Sequence, residues 1–164
     1  MIELERKYLW SRLPTCQPTR ILKINQFYTL GGLRYREQSD IQTNIKTYFQ
    51  TFKKESYTKR IGNELFIGRK EIECEITFED FQRAYNDITN NVVKKTRYIY
   101  SDITHVWSGD VFDHSLIKHL IIGELELYSE YYLEKRDKFY NNIKKVIIPG
   151  IELTLTNYDI SKMV

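Results

Sequence analysis

The stretch Ile2–Tyr8, IELERKY, decides how the rest of the chain is read. Its residues Glu3, Glu5 and Lys7 alternate with Ile2, Leu4 and Arg6. Residues i and i+2 of a strand share a face, so two acids and a base stand in one row. A row carrying both signs of charge fits a ligand that mixes charges itself, such as a phosphate chain with bound metal ions.

The pattern returns along the chain. Arg34 and Arg36 alternate in LRYREQ, and Lys95 and Arg97 in KKTRY. Arg69, Glu71, Glu73 and Glu75 run through RKEIECEI, Glu124 and Glu126 through GELEL, and Lys53 closes TFKK. Any one of these pairs is the ordinary signature of a half-buried strand with its polar face in water. The set is different, because like charges are grouped within strands and the rows recur on several of them. Cross-strand opposite charges recover only about 0.2–1 kcal/mol per pair. The alternate positions, such as Ile72, Leu125 and Leu127, are apolar enough to lie under helices. A sheet with its charged face inward then closes around a polar cavity. Arginine grips phosphate oxygens bidentately, paired carboxylates suit Mg²⁺ or Mn²⁺, and a metal-held water can attack phosphorus.

Composition agrees. The chain of 164 residues fits one domain, 1–164. Its 13 tyrosines favour strands, and its 7 glycines and 3 prolines exclude a low-complexity linker. A net charge of +3 makes no case for nucleic acid or a membrane surface. Cys16 and Cys74 form neither a disulfide framework nor a CxxC site, so a reducing, cytoplasmic setting is expected. No secretory h-region and no apolar run of transmembrane length is present.

Alternation predicts about eight strands and two helices, joined mostly by gaps too short for parallel crossovers. Residues 10–20 read as a connector, Gly31-Gly32 as a hairpin turn, and 39–46 and 55–63 as polar loops. The strand over 46–54 ends before that second loop, and the strand over 64–76 is open to a break at Gly68. TFEDFQRAYNDITNNV reads as a helix capped by Thr77, with Phe78, Phe81, Tyr85 and Ile88 on one face. Residues 129–146 read as a second helix, and 148–158 as the closing strand. Trp10 and Trp107 are expected in the core or at a rim. Cys74 is expected on an outer, packed face. His105, His114 and His119 show no metal-ligand spacing.

These segments resemble the motifs of the CYTH superfamily, the triphosphate tunnel metalloenzymes. IELERKY resembles its ExExK; INQFY its IxQxY; LRYR its RxR; TFK its TxK; RKEIECEI its RxExExxI; KTRY its KxRY; GDVF its DxF; GELEL its AExEL; and IELT its terminal EVT strand. They follow in the family's order along nearly the whole chain. The resemblance implies a mainly β (α+β) fold: a closed eight-stranded antiparallel β-barrel, or tunnel, with a few helices packed outside. It implies that Lys7, Arg34, Arg36, Lys53, Arg69, Lys95 and Arg97 bind a triphosphate. It gives Glu3, Glu5, Glu124 and Glu126 as holders of Mg²⁺ or Mn²⁺, with Glu71 and Glu73 as further ligands. Glu5, Lys7, Glu126 and Asp110 are the expected catalytic set. Phe27, where the family has glycine, and Gly123, where it has alanine, depart from the pattern.

The implied activity is metal-dependent hydrolysis of a triphosphate-containing small molecule, first of all inorganic tripolyphosphate to pyrophosphate and phosphate. The alternatives are a nucleotide-directed enzyme of the family (class IV adenylyl cyclase, nucleoside or thiamine triphosphatase) and a tunnel that binds nucleotide or polyphosphate without turnover. A homodimer is left open by the sequence.

Overall fold

The computed structural model describes residues 2–61, 64–89, 91–101, 105–127, 147–152 and 160–162. The strands are β1 (Ile2–Trp10), β2 (Arg20–Tyr28), β3 (Arg34–Asp40), β4 (Lys46–Ile61) and β5 (Glu64–Ile76), then helix α1 (Phe78–Tyr85). Strands β6 (Val93–Ser101), β7 (His105–Phe112), β8 (Ile121–Leu127) and β9 (Ile147–Glu152) follow. The sheet runs β5-β4-β3-β2-β6-β7-β8-β1, and a β5–β1 ladder closes it into an eight-stranded antiparallel barrel. β9 adds to β1 beyond that seam, opposite Tyr8 and Trp10. No described helix is long and apolar enough to cross a membrane.

Register sorts the side chains, because directly opposed residues share a face. Glu5 opposes Glu126, and Lys7 opposes Glu124. Asp110 opposes Arg97, Gln26 opposes Arg36, Arg34 opposes Thr51, and Lys53 opposes Glu71. The charged rows therefore form one continuous inner face.

The outer face carries a core of Leu4, Tyr8, Trp10, Phe66, Tyr100, Trp107 and Leu125, on which Leu13 and Cys16 of the connector pack. Gly123 belongs to it for a steric reason. A Cβ there would lie within about 2 Å of the Trp10 indole, so alanine at this position would force the Trp10 ring to shift. Phe27 has a similar account. Its ring packs on Tyr35, Phe81 and Tyr85 and so seats α1 on the barrel. A second cluster, Val93, Phe112, Ile117, Ile122 and Ile160, includes residues that share the charged face by register, so apolar side chains fill part of the interior.

Four expectations change. β4 does not end at Lys54 but runs on to Ile61, paired with β5 across an irregularity at Lys54/Ser56. Gly68 breaks nothing, because the absent side chain leaves room for the Tyr57 ring of the neighbouring strand. α1 keeps its Thr77 cap, whose Oγ1 accepts from Asp80 N at 3.1 Å, but stops at Tyr85. Ile88 instead bridges Thr29, and Thr89 N donates to Tyr28 O. Cys74 lies on the outer face but is exposed, since α1 covers Phe27 and Tyr48 rather than β5. The helix expected over 129–146 lies outside the described residues, as does the end of the last strand beyond Glu152.

Candidate active site

Three groups of charge stand on the inner face. In the first, Asp110 of β7 accepts from Lys95 Nζ at 2.6 Å, from Arg97 Nε at 2.7 Å and from Arg97 Nη2 at 2.9 Å. All three residues are buried. Burial alone would raise the Asp110 carboxyl, but Arg97 and Lys95 hold it far below the usual range. Burial pushes Lys95 down to about 7, against the pull of Asp110 and with the help of Arg97 and Arg36. Burial also opposes the Arg97 charge, yet Asp110 raises it overall. Asp110 thus stands against the bases, as the anion that keeps Lys95 and Arg97 in place.

In the second group, Arg34 Nη2 donates to Glu71 at 2.9 Å, to Glu73 at 3.3 Å and to Thr51 Oγ1 at 3.1 Å. Thr51 donates in turn to Glu73 at 2.7 Å, and Lys53 Nζ lies 3.5 Å from Glu71. Glu71 and Glu73 are therefore engaged with Arg34, Lys53 and Thr51.

The third group lies on the β1–β8 ladder. Lys7 Nζ sits 3.8 Å from both Glu5 and Glu124, and Arg69 Nη1 is 3.5 Å from Glu5. Burial would raise Glu124, but Lys7, then Arg97 and Lys53, hold it low. Burial and then the Glu124 charge raise its neighbour Glu126. The described side chains of β1 begin at Leu4; Glu3 lies opposite Arg69 in the ladder.

The groups face a common space. Lys53 on β4 acts on Glu124 on β8, Arg97 on β6 acts on both Glu124 and Glu126, and Arg69 on β5 acts on Tyr28 on β2.

Arg36 stands apart. Among the described residues its guanidinium makes no hydrogen bond or ion pair, and its Nε is buried. Burial and then repulsion from Arg34 and Arg97 push it down from its ordinary value. A guanidinium still keeps its proton at neutral pH. A half-buried guanidinium with no hydrogen bond or ion pair of its own, beside other cations, is able to take up an anion.

Among the described residues no three acid, histidine or cysteine side chains meet at one point. Mg²⁺ does not need such a cage, because it is commonly held by one or two carboxylates with substrate phosphates and water. Glu5, Glu124 and Glu126 supply hard oxygen donors for it, and the Lys7 ammonium between Glu5 and Glu124 shows that a cation suits this place. These residues fit a divalent ion.

Reading charge alone passed over three neutral groups on the inner face, Thr51, Gln26 and Tyr28, which only the TxK and IxQxY resemblances contain. Gln26 Nε2 donates to Tyr28 Oη at 3.2 Å, with Arg34, Arg36 and Arg69 acting on that phenol. The signal available was position, since Gln26 and Tyr28 alternate on the row that faces Arg36 and Arg34.

Comparison with protein-family models gives no match, and neither does comparison with curated proteins. Solved structures do match. The hypothetical protein NE1496 is 22% identical with a TM-score of 0.54 over 97% of each chain. A second structure, of the inorganic triphosphatase NE1496, is 20% identical with the same TM-score, covering 97% of this chain and 93% of that one. PH1819 from Pyrococcus horikoshii OT3 is 16% identical with a TM-score of 0.62, covering 96% and 97%. These likenesses show a shared fold, the closed eight-stranded antiparallel barrel.

Proposed function

We propose that the protein is a metal-dependent triphosphatase that cleaves inorganic tripolyphosphate to pyrophosphate and phosphate inside the barrel. One observation carries the reading: Arg36 stands beside Arg34, Lys95 and Arg97 with no hydrogen bond or ion pair of its own among the described residues, and Glu73 and Asp110 attract it only in part. Structural packing gains nothing from such a group, whereas a chain of phosphates satisfies it.

The chain's own residues then divide the work. Arg36 and the neighbouring Arg34, Lys95 and Arg97 bind phosphate oxygens and spread the charge that develops at the transferring phosphoryl group. Asp110 keeps Lys95 and Arg97 oriented before substrate arrives. Lys7, Lys53 and Arg69 extend the cationic lining toward the β1–β8 ladder. Glu5, Glu124 and Glu126, with Glu3 beside them in sequence, would hold Mg²⁺ or Mn²⁺. When bound, the ion supplies Lewis acidity and an activated water. The inorganic triphosphatase NE1496, on the same fold, supports the choice of tripolyphosphate.

The test is turnover of tripolyphosphate, ATP, GTP and thiamine triphosphate with Mg²⁺ or Mn²⁺, resolving phosphate, pyrophosphate and cyclic nucleotide. Phosphate from tripolyphosphate, lost in Glu5→Gln and Glu126→Gln variants that remain folded, is expected. Cyclic nucleotide with pyrophosphate would replace the reading by a cyclase. Tight binding without any product would replace it by a capture protein.

A further inference from the structure

Gln26 is fully buried on β2, directly opposite Arg36 on β3 and Val93 on β6. Its Nε2 is used, donating to Tyr28 Oη at 3.2 Å. Its Oε1 is buried with no partner among the described residues, and so is Nε of the facing Arg36. A buried acceptor left unmade is costly, and an apolar side chain of the same length would avoid that cost. Two orphaned groups of opposite kind therefore stand on side chains one ladder step apart on the same face: an acceptor on Gln26 and a donor on Arg36. One oxygen atom can satisfy both only if it carries a hydrogen. It donates to Gln26 Oε1 and accepts from Arg36 Nε–H.

We propose that Gln26 is a specificity-determining residue, whose Oε1 works with Arg36 Nε as a socket for a hydrogen-bearing phosphate oxygen. This rests on the tunnel being a phosphate site and goes beyond it. The cationic lining attracts any anion, whereas Gln26 selects one that can donate a hydrogen bond. A fully ionised oxyanion offers only lone pairs there, and lone pair against lone pair is repulsive. A water is the other oxygen with the same chemistry.

The experiment titrates the metal-free protein near pH 7 with inorganic phosphate and with sulfate, which match in shape while only phosphate carries hydrogen. Wild type and Gln26→Met are compared by calorimetry. Wild type is expected to prefer phosphate by about tenfold, the size of one buried hydrogen bond, and Gln26→Met to lose the preference while still binding both anions. Tripolyphosphate turnover by the same two proteins separates the two oxygen sources. A raised KM with kcat kept marks a substrate oxygen. A water in the socket would instead show as lowered kcat, unchanged KM and no preference for phosphate in wild type, and would overturn the selective role. Equal binding of phosphate and sulfate in wild type, with normal kinetics in Gln26→Met, would also overturn it, and is the result expected if the amide presents its NH₂ instead. If neither anion binds wild type at all, the phosphate-tunnel reading falls together with the proposal.

Discussion

Asp110→Asn tests the internal anion of the tunnel. The substitution keeps shape and removes one negative charge from a site where Lys95 Nζ and both Arg97 donors lie within 2.6–2.9 Å. Removing one partner of a buried ion pair costs about 3–5 kcal/mol, because the other charge is left buried. Lys95 can escape part of that penalty by giving up a proton it already holds weakly, but Arg97 cannot. The expected loss is therefore near the lower bound, about 3 kcal/mol. For a chain of this size that lowers Tm by about 6–12 °C. Thermal unfolding without metal, with and without saturating tripolyphosphate, is the assay. The ligand should stabilise the variant more than it stabilises wild type, since its phosphates replace the missing carboxylate beside Lys95 and Arg97. A variant as stable as wild type would refute the buttress. So would turnover that excess Mn²⁺ restores, because Asp110 would then be a metal ligand.

Arg36→Ala should leave stability unchanged or raised, since it removes a cation repelled by Arg34 and Arg97, while abolishing the Tm shift given by tripolyphosphate; an unaltered shift would sink the clamp assignment. Lys95 has a folded pKa near 7 against an ordinary value of 10.5, so its charge destabilises the free protein fully below pH 7 and less as pH rises from 7 toward 10.5. Phosphate restores the proton, so tripolyphosphate affinity should fall as pH rises above 7 with measurable proton uptake, and Lys95→Arg should abolish that uptake in calorimetry run in two buffers. Gly123→Ala should cost about 1–3 kcal/mol by overpacking against Trp10, read by urea unfolding and by the indole fluorescence; wild-type stability would mean that Trp10 rests elsewhere.

Much of this was legible early because two-residue periodicity is a local property. Glu5 and Lys7, Arg34 and Arg36, and Glu124 and Glu126 had to share faces as soon as their segments were strands. What misled was also local. The polar stretch after Lys54 reads as loop, and only the ladder with β5 makes it strand. Ile88 keeps helical spacing, yet its backbone is claimed by Thr29. Gly68 looks like a break until Tyr57 lies over it.

The sequence by itself determined that several strands carry one charged face each, and in what order, because alternation along a strand needs no partner. Which charges meet was decided only by tertiary structure. Register across ladders joins residues far apart in the chain, so it assigned Asp110 to Lys95 and Arg97, and Glu71 to Arg34 and Lys53. It left Arg36 and Gln26 facing each other with bonds unmade. Pairing of that kind depends on strand order and barrel closure, and no window of sequence contains either.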